Sequence, residues 1–231
     1  MAMSEIFLIR HAQASFDAAD YDCLSSRGET QAGKLGAWMA ARGGRPGAIF
    51  TGTLRRHAQT ATLAARAAGI EPPIRVLPGL DELDSDELVA RLRPELASRE
   101  ALLAELAASG DPRRAFQALF SAAVARWTSG QADGDYTLAW PAFRAAVLAA
   151  WDTLAKESAE EVWVVSSGGP IAVIATLLAG ADPQRAFDFA WPLVNTSVSR
   201  IRTGRRGAQL VTYNAWPHLD TAADAALVTH R

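Results

Sequence analysis

The strongest constraint on the fold of this chain is an alternation of short apolar segments with helical segments. Residues 5–10 and 48–51 are short, mainly apolar runs rich in β-branched and aromatic side chains, which is typical of buried parallel strands. Both runs are followed by segments with apolar residues at helical spacing, and each of these segments ends at glycine. Residues 74–76 predict a third strand. Strands that alternate with helices in this way predict a parallel sheet covered by helices.

The same alternation returns near the end of the chain, after a long interval of a different kind. Residues 161–166 predict a strand, residues 170–178 a helix, and residues 197–202 and 209–213 two further strands. From about 86 to 155 the periodicity is only helical, in three stretches separated by glycine-containing breaks. This interval predicts a helical insertion.

Together these segments predict an α/β fold. Its central sheet is mostly parallel, has helices on both faces, and carries the helical insertion, about 86–155, over the C-terminal edge of the strands. The whole chain, 1–231, is expected to form one domain. In open α/β sheets ligands bind at the carboxyl ends of the strands, so we expect the functional site at that edge.

Composition excludes several classes of protein. The chain has 231 residues, of which 49% are hydrophobic and 21% charged, so it can bury a core without disulfides. A net charge of -2 provides no basic surface for nucleic acid or for an anionic membrane. Cys23 is the only cysteine, and no histidines or cysteines have metal-binding spacing, so we expect neither a metal nor another cofactor. Since the sequence has no signal-peptide pattern and no run of about 18 apolar residues, we expect a cytoplasmic protein.

Basic residues follow the first two predicted strands. Arg10 and His11 end the first strand, although a single Arg-His pair is more often structural than functional. Arg55 and Arg56 lie in the first turn of the next predicted helix, where a cation opposes the helix dipole. That placement becomes favourable when backbone N–H groups and a guanidinium group bind the same phosphate. Arg56 is therefore a candidate anion ligand, whereas we expect Arg55 to be solvated.

Six groups of residues carry a resemblance to a known family. They are Leu8-Ile-Arg10-His11 with Gln13, Leu24-Ser-Ser-Arg-Gly28 with Gln31-Ala32, Thr53-Leu-Arg55-Arg56 with Gln59-Thr60-Ala61, Leu80-Asp-Glu82, Val164-Val-Ser166-Ser167-Gly168-Gly169, and Asn195-Thr-Ser197. In this order and spacing they resemble the motifs of the histidine phosphatase superfamily, also called phosphoglycerate mutase-like proteins. The resemblance covers most of the chain and implies the α/β fold of that family.

The resemblance also implies a mechanism. His11 attacks phosphorus and becomes phosphohistidine, while Arg10 and Arg56 hold the phosphoryl oxygens. Glu82 protonates the leaving oxygen. The chemistry of these groups agrees, because a neutral imidazole is a nucleophile near neutral pH and needs no metal to activate it. Two guanidinium groups can offset the charge on the phosphoryl oxygens.

Six residues are predicted to contact the phosphate or the rest of the substrate. They are Arg10, Arg56, Gln13, Ser15, Ser167 and Gly168. For Gln13 and Ser15, which lie in the loop after the nucleophile, a solvated position is an equally good interpretation. Specificity is expected to come from the helical insertion.

Two positions depart from the pattern that the resemblance implies. Ala12 stands next to the nucleophile, where the family usually has glycine. Ser167 stands where the family usually has a second histidine, which donates to the phosphoryl group. Ser167 still offers a hydroxyl group, and Gly168 a backbone N–H at the start of a helix, but a charged donor is lost. Loss of one preorganised donor costs on the order of 100- to 1000-fold in turnover, so we predict a slow enzyme.

None of the other histidines is expected to replace the missing one. His57 follows Arg56 directly and therefore lies about 100° away around the helix, on a different face. His218 and His230 lie in the C-terminal segment.

The sequence therefore predicts a metal-independent phosphatase that hydrolyses a small phosphomonoester through phosphohistidine at His11. One alternative is a regulatory or ligand-binding protein that kept the phosphate pocket and lost useful turnover with the change at Ser167. Another alternative is a phosphoglycerate mutase. It is less favoured because such mutases usually continue the histidine motif with Trp-Asn, where this chain has Phe16-Asp17.

Overall fold

Six strands form one mixed sheet. The computed structural model of the chain describes residues 4–15, 22–71 and 73–230. The strands are β1 (Ser4–Arg10), β2 (Ala48–Thr51), β3 (Ile74–Val76), β4 (Glu161–Ser166), β5 (Val198–Gly204) and β6 (Gly207–Ala215). They lie in the order β3-β2-β4-β1-β5-β6. The first four in this order are parallel, and β5 and β6 are antiparallel additions at one side. The predicted α/β fold with a mostly parallel central sheet is confirmed.

Helices occupy most of the remaining described chain. The α-helices are α1 (Ser26–Ala41), α2 (Arg55–Ala67), α3 (Ser85–Leu92), α4 (Arg99–Ala108), α5 (Pro112–Thr128), α6 (Trp140–Leu154), α7 (Gly168–Ala179) and α8 (Ala186–Ala190). The 3₁₀ helices are Pro78–Leu80, Pro94–Leu96, Asp133–Asp135, Pro183–Arg185 and Ala222–Leu227. The first of the three predicted helical stretches is two helices, α3 and α4. The prediction missed this break, which arises because Pro94 has no N–H and disfavours a helical conformation at Arg93.

Both faces of the sheet are buried. On one face Phe7 and Trp163 pack in a cluster with Leu35 of α1 and Ala64 of α2. Successive side chains of a strand point to opposite faces, so Leu8 lies on the other face, and it is equally buried. The helix α7 contacts β1 and β6. Burial on two faces explains why these strands are almost continuously apolar in sequence.

The chain forms two compact units. One contains the sheet and comprises the described residues up to Glu82 and those from Ala146 onward, and the other, Leu83–Ala145, is helical. In the helical unit Trp127 packs edge-to-face against Trp140, with ring centroids 5.2 Å apart. Within the described ranges, no helix is both long enough and apolar enough to span a bilayer. That the chain is a single domain with an insertion stays a prediction.

Strand register brings three strand ends together. Arg10 at the end of β1 pairs with Ser166 at the end of β4, and Thr51 at the end of β2 pairs with Val165. The next residue after β1, His11, donates its backbone N–H to the carbonyl oxygen of Ser166 at 2.8 Å. The segments that follow these three parallel strands therefore begin at one edge of the sheet.

Candidate active site

His11 is held in one orientation at the carboxyl end of β1. The residue is only 7% exposed, and its ring Nδ1 lies 2.7 Å from the carbonyl oxygen of Ala12. A carbonyl oxygen only accepts hydrogen bonds, so Nδ1 carries the ring proton and Nε2 keeps its lone pair. Arg56 donates its Nε–H to this Nε2 at 3.3 Å. The unprotonated ring nitrogen is therefore Nε2, and it faces a guanidinium group.

The surroundings of His11 keep its ring neutral. Burial lowers the pKa of His11 well below its ordinary value of 6.5. This pKa is lowered further by the neighbouring groups, which in order of effect are Arg56, His57 and Arg10. Each of these effects disfavours the imidazolium form. The ring is therefore unprotonated at neutral pH, as nucleophilic attack requires.

Residues of the predicted motifs hold the loop that follows His11. Thr60 Oγ1 accepts the backbone N–H of Ala12 at 3.0 Å, and Gln31 Oε1 accepts the backbone N–H of Gln13 at 2.8 Å. Gly28 lies so close to this loop that a Cβ atom there would be 2.2 Å from the carbonyl oxygen of Gln13. A larger residue would push the loop away, so the glycine is needed for the close approach.

The alanine after the nucleophile is accommodated without difficulty. Ala12 is fully buried and packs in a small apolar cluster with Leu24 and Ala32. Its methyl group therefore points into a core rather than toward the nucleophile. The side chain at this position therefore fits within the core.

Residues near the C-terminal end of the described chain fix the backbone of Arg10 and His11. Asn195 donates its Nδ2–H to the carbonyl oxygen of His11 at 3.0 Å, and its Oδ1 accepts the hydroxyl of Thr229 at 2.8 Å. Thr196 donates its backbone N–H to the carbonyl oxygen of Arg10 at 3.0 Å. It does so with φ of 61°, a left-handed conformation that costs energy for a β-branched residue. The predicted Asn195-Thr-Ser197 motif thus supports the site from behind.

Polar groups of the loop after His11 stabilise the loop itself. Gln13 Oε1 accepts the hydroxyl of Ser25 at 3.0 Å, and Ser15 donates its backbone N–H to the carbonyl oxygen of Cys23 at 2.8 Å. Contact of Gln13 and Ser15 with a substrate stays a prediction.

The guanidinium groups of Arg56 and Arg10 are both anchored by hydrogen bonds. Arg56 donates its Nη1–H to Asp22 Oδ1 at 2.7 Å. The other oxygen of the same carboxylate accepts the backbone N–H of Arg55 at 2.7 Å, at the first residue of α2. Arg10 donates its Nη1–H to the carbonyl oxygen of Leu193. Sequence reasoning missed Asp22, because an acidic residue in a loop without a motif carries no signal of its partner.

Glu82 lies at the N-terminus of α7. The backbone N–H of Gly169 contacts both carboxylate oxygens, at 3.1 and 3.2 Å. Ser166 donates its hydroxyl to the carbonyl oxygen of Leu80 at 2.6 Å, which ties the segment before Glu82 to the end of β4. Since β4 is also hydrogen-bonded to the backbone of His11, the carboxyl group of Glu82 and His11 lie at the same strand edge.

His57 lies close to His11, which its position in the helical pattern did not indicate. It is fully buried, its ring centroid is 5.6 Å from that of His11, and its Nε2 is 2.7 Å from Ser167 Oγ. Ser167 is the N-cap of α7, and Gly168 is the first residue of that helix. This proximity arises because β2 and β4 are neighbours in the sheet, so α2 starts beside the end of β4. Two residues 100° apart can therefore reach the ends of two different strands. That His57 does not itself replace the second histidine stays a prediction.

The other two histidines serve elsewhere. His218 Nε2 lies 2.9 Å from Thr196 Oγ1, and the imidazole packs against the ring of Trp38 with centroids 5.9 Å apart. His230 is exposed. In the part of the chain that the structure describes, no three histidine, cysteine, aspartate or glutamate side chains form a group that could hold a metal ion.

Buried histidines predict how stability depends on pH. Burial, and then the charge of Arg56, lower the pKa of His57 to about 3. Burial, and then the charge of Lys34, lower the pKa of His218 to about 4. Unfolded histidines titrate near 6.5, so below that pH the unfolded chain binds protons that the native protein does not. The free energy of unfolding should be highest above pH 6.5 and fall as the pH decreases, by up to about 1.4 kcal/mol per pH unit for each histidine.

Urea unfolding between about pH 7.5 and 5 measures this dependence directly, above the range where most carboxylates titrate. His218→Asn should reduce the slope, whereas the matched control His230→Asn, at an exposed position, should leave it unchanged. A free energy of unfolding that stays constant or rises as the pH falls would contradict the burial of neutral histidines.

Comparison with known proteins identifies the family of the chain. Residues 6–215 match the model of the histidine phosphatase superfamily (branch 1), so the chain belongs to that superfamily. No curated protein sequence matches it.

Solved structures share the fold at low sequence identity. An alpha-ribazole phosphatase from Shigella flexneri is 19% identical, with a TM-score of 0.64, and the match covers 91% of this chain and 96% of that one. A phosphoglycerate mutase from Bacillus anthracis is 16% identical, with a TM-score of 0.64 and coverage of 94% and 95%. A phosphoserine phosphatase from Entamoeba histolytica, solved with phosphoserine, is 16% identical, with a TM-score of 0.60 and coverage of 94% and 99%.

Proposed function

We propose that this protein is a metal-independent phosphatase that hydrolyses a small phosphomonoester through phosphohistidine at His11. One observation carries the proposal: the ring proton of His11 is fixed on Nδ1 by the carbonyl oxygen of Ala12, which leaves the lone pair on Nε2 beside Arg56. A neutral imidazole in that orientation attacks phosphorus directly. Water then hydrolyses the N–P bond and returns the ring to its starting state.

Charge on the transferring phosphoryl group is offset by the side chains around the nucleophile. Arg56 and Arg10 are buried or half-buried guanidinium groups with anchored positions, so they need little reorganisation during the reaction. The hydroxyl of Ser167 and the backbone N–H of Gly168, at the start of α7, are further donors. Phosphoryl transfer depends mainly on such positioning and charge stabilisation.

Glu82 acts as the acid that protonates the leaving oxygen. Its carboxyl group is held by the backbone N–H of Gly169, at the strand edge that carries the nucleophile. An alkoxide is a poor leaving group, so departure of an alcohol requires a proton donor at this place.

The names of the structural neighbours support a phosphatase, since two of the three are phosphatases of small phosphorylated compounds. The third is a phosphoglycerate mutase, and a mutase remains the lesser alternative. Phe16 and Asp17, which distinguish this chain from the mutase motif, lie outside the described residues. A phosphate-binding regulatory protein is the other alternative, and it would bind phosphate without releasing it from esters. The replacement of a second catalytic histidine by Ser167 stays a prediction.

Release of inorganic phosphate from a panel of small phosphomonoesters tests the proposal. Two guanidinium groups supply the positive charge that Mg²⁺ supplies in other phosphoryl-transfer enzymes, so excess chelator should leave the rate unchanged. A metal-dependent phosphatase treated in the same way serves as the control for chelation. Activity that disappears with chelator and returns with one particular divalent ion would contradict the mechanism. Tight binding of inorganic phosphate without any ester hydrolysis would instead favour the binding protein.

A further inference from the structure

A second buried imidazole, that of His57, lies next to the nucleophile and has no role in the mechanism described above. His57 is fully buried, yet its ring is only 5.6 Å from the ring of His11. Buried histidines usually satisfy both ring nitrogens with hydrogen bonds. Here one nitrogen, Nε2, contacts the hydroxyl of Ser167 at 2.7 Å, and the other, Nδ1, has no hydrogen-bond partner among the described residues.

The site is shaped to hold this imidazole. A Cβ atom on Gly52 would lie 2.6 Å from His57 Nδ1 and 2.2 Å from Asp81 Oδ1, so any other residue there would collide with both. Asp81 Oδ1 lies 3.9 Å from Nδ1, which is too far for a hydrogen bond. The two oxygens of Asp81 are instead used by the backbone N–H and the hydroxyl of Thr53.

Hydrogen-bond accounting fixes the direction of the contact with Ser167. A neutral imidazole carries one N–H, and an N–H buried without an acceptor is costly. Because Nδ1 has no acceptor within hydrogen-bond distance in the described structure, the proton is better placed on Nε2, where Ser167 Oγ accepts it. Burial and Arg56 lower the pKa of His57 to about 3, so the ring is neutral and this accounting applies.

The hydroxyl of Ser167 then has its own hydrogen free to donate elsewhere. Ser167 is the N-cap of α7, but its side chain makes no capping hydrogen bond to that helix. It follows Ser166, whose carbonyl oxygen accepts the backbone N–H of His11 at 2.8 Å. The hydroxyl therefore stands at the strand edge that carries the nucleophile.

We propose that His57 is a positioning residue that orients the hydroxyl of Ser167 as a hydrogen-bond donor to the phosphoryl group on His11. The imidazole lies at the start of α2 and acts through Ser167. His57 orients the hydroxyl, and Ser167 donates the hydrogen bond to the phosphoryl group. No proton is transferred. The Nε2–H of His57 donates a hydrogen bond to Ser167 Oγ, and the hydroxyl of Ser167 donates a hydrogen bond to a phosphoryl oxygen. The inference rests on the proposed function, because the phosphoryl group on His11 is what the hydroxyl would contact.

A double-mutant cycle, with p-nitrophenyl phosphate as the substrate, tests whether His57 acts through Ser167. His57→Leu and Ser167→Ala should each lower kcat on the order of 100-fold, the lower end of what loss of one preorganised donor costs. KM should change much less, because the donor acts mainly on the transition state. The double variant should be no slower than the slower single variant, since both changes remove the same hydrogen bond to phosphate. Losses that multiply, or a wild-type kcat in His57→Leu, would overturn the proposal.

Conservative replacements separate positioning from packing. His57→Gln keeps an N–H donor, whereas His57→Leu has a similar size without a donor. The kcat of His57→Gln should therefore be at least about tenfold higher than the kcat of His57→Leu. Equal rates in the two variants would contradict a donor role. Ser167→His alone should gain nothing, because the new imidazole would occupy the space of the existing one. In the double variant His57→Ala/Ser167→His, the introduced imidazole has room. The kcat of this double variant should be higher than the kcat of His57→Ala alone. An equal kcat in the two proteins would count against the proposal.

Affinity for orthovanadate keeps this test separate from the test of the phosphatase function. Vanadate resembles the transferring phosphoryl group, so His57→Leu and Ser167→Ala should weaken its binding by about tenfold or more, again without a further loss in the double variant. If the wild type hydrolyses no ester, the proposed function fails. The vanadate affinities then still test whether His57 orients the hydroxyl of Ser167. If the wild type is active and the substitutions leave the vanadate affinities unchanged, the positioning role of His57 is contradicted but the proposed function is not.

Discussion

Replacing His11 with alanine is expected to reduce phosphomonoester hydrolysis by about 10⁴-fold or more, the scale of loss when a covalent nucleophile is removed. Nε2 of His11 is the only atom that the mechanism joins to phosphorus. The fold should survive, because the ring has a short hydrogen bond only to the adjacent residue, Ala12, and a longer one of 3.3 Å to Arg56. Arg56 keeps its ion pair with Asp22 when the ring is removed. Steady-state release of phosphate, with circular dichroism as the measure of folding, checks both parts.

The matched control is His230→Ala, at an exposed histidine far along the chain, which should keep wild-type kcat and KM. A His11→Ala protein that is folded and still hydrolyses esters at a rate within tenfold of the wild type would rule out His11 as the nucleophile. Loss of activity together with loss of folding would require the less disruptive His11→Asn for the same comparison. Asparagine can keep a hydrogen bond to the carbonyl oxygen of Ala12 but has no nucleophilic nitrogen.

The second large effect is expected from Glu82→Gln, and it should depend on the leaving group. With alkyl phosphates, which need a proton on the departing oxygen, kcat should fall by about 10²- to 10⁴-fold, the usual contribution of a general acid. With p-nitrophenyl phosphate, whose leaving group is stable as an anion, the fall should be much smaller. Glutamine keeps the hydrogen bond from Gly169, so the position of the side chain should be preserved.

A plot of kcat against the leaving-group pKa for both proteins makes this comparison. The matched control is Glu71→Gln, which removes an exposed carboxyl group and should not change the slope. An equal loss for all leaving groups would show that Glu82 binds or orients the substrate rather than protonating it.

The sheet was predictable because its signals are local. The apolar runs at 5–10, 48–51 and 161–166 became β1, β2 and β4, since strands buried on both faces need continuous apolar sequence. The presence of Arg10 and His11 at a strand end followed from the same pattern. By contrast, the break between α3 and α4 was missed because the apolar periodicity continues across it.

The position of His57 beside His11 and Ser167 was not predictable from periodicity. A helical wheel places His57 on a different face from Arg56, and that is correct for an isolated helix. Which strand end each face meets depends on the order of strands in the sheet, where β2 lies beside β4 although a long stretch of chain separates them. The contact between His57 and Ser167 joins residues 110 positions apart, and nothing in the local sequence specifies it.

Supporting residues of the site were visible as motifs but not as contacts. Gln31, Thr60 and Asn195 fell within the motifs, yet their hydrogen bonds to the loop and carbonyl groups around His11 appear only in three dimensions. Asp22 had no motif, although it anchors the guanidinium group of Arg56. Sequence patterns thus indicated the candidate reacting groups, but not the contacts of the groups that orient them.

Rapid-quench labelling with a ³²P-labelled phosphomonoester tests the central claim most directly. The protein is mixed with substrate, quenched in alkaline denaturant within one turnover, digested, and the labelled peptide is identified. A phosphohistidine intermediate predicts one label per chain at most, stable in base and lost in acid, on the peptide that contains His11, and absent from His11→Ala. A label that is stable in acid and maps to Ser167, or turnover at full rate with no label on His11 at any time, would contradict it.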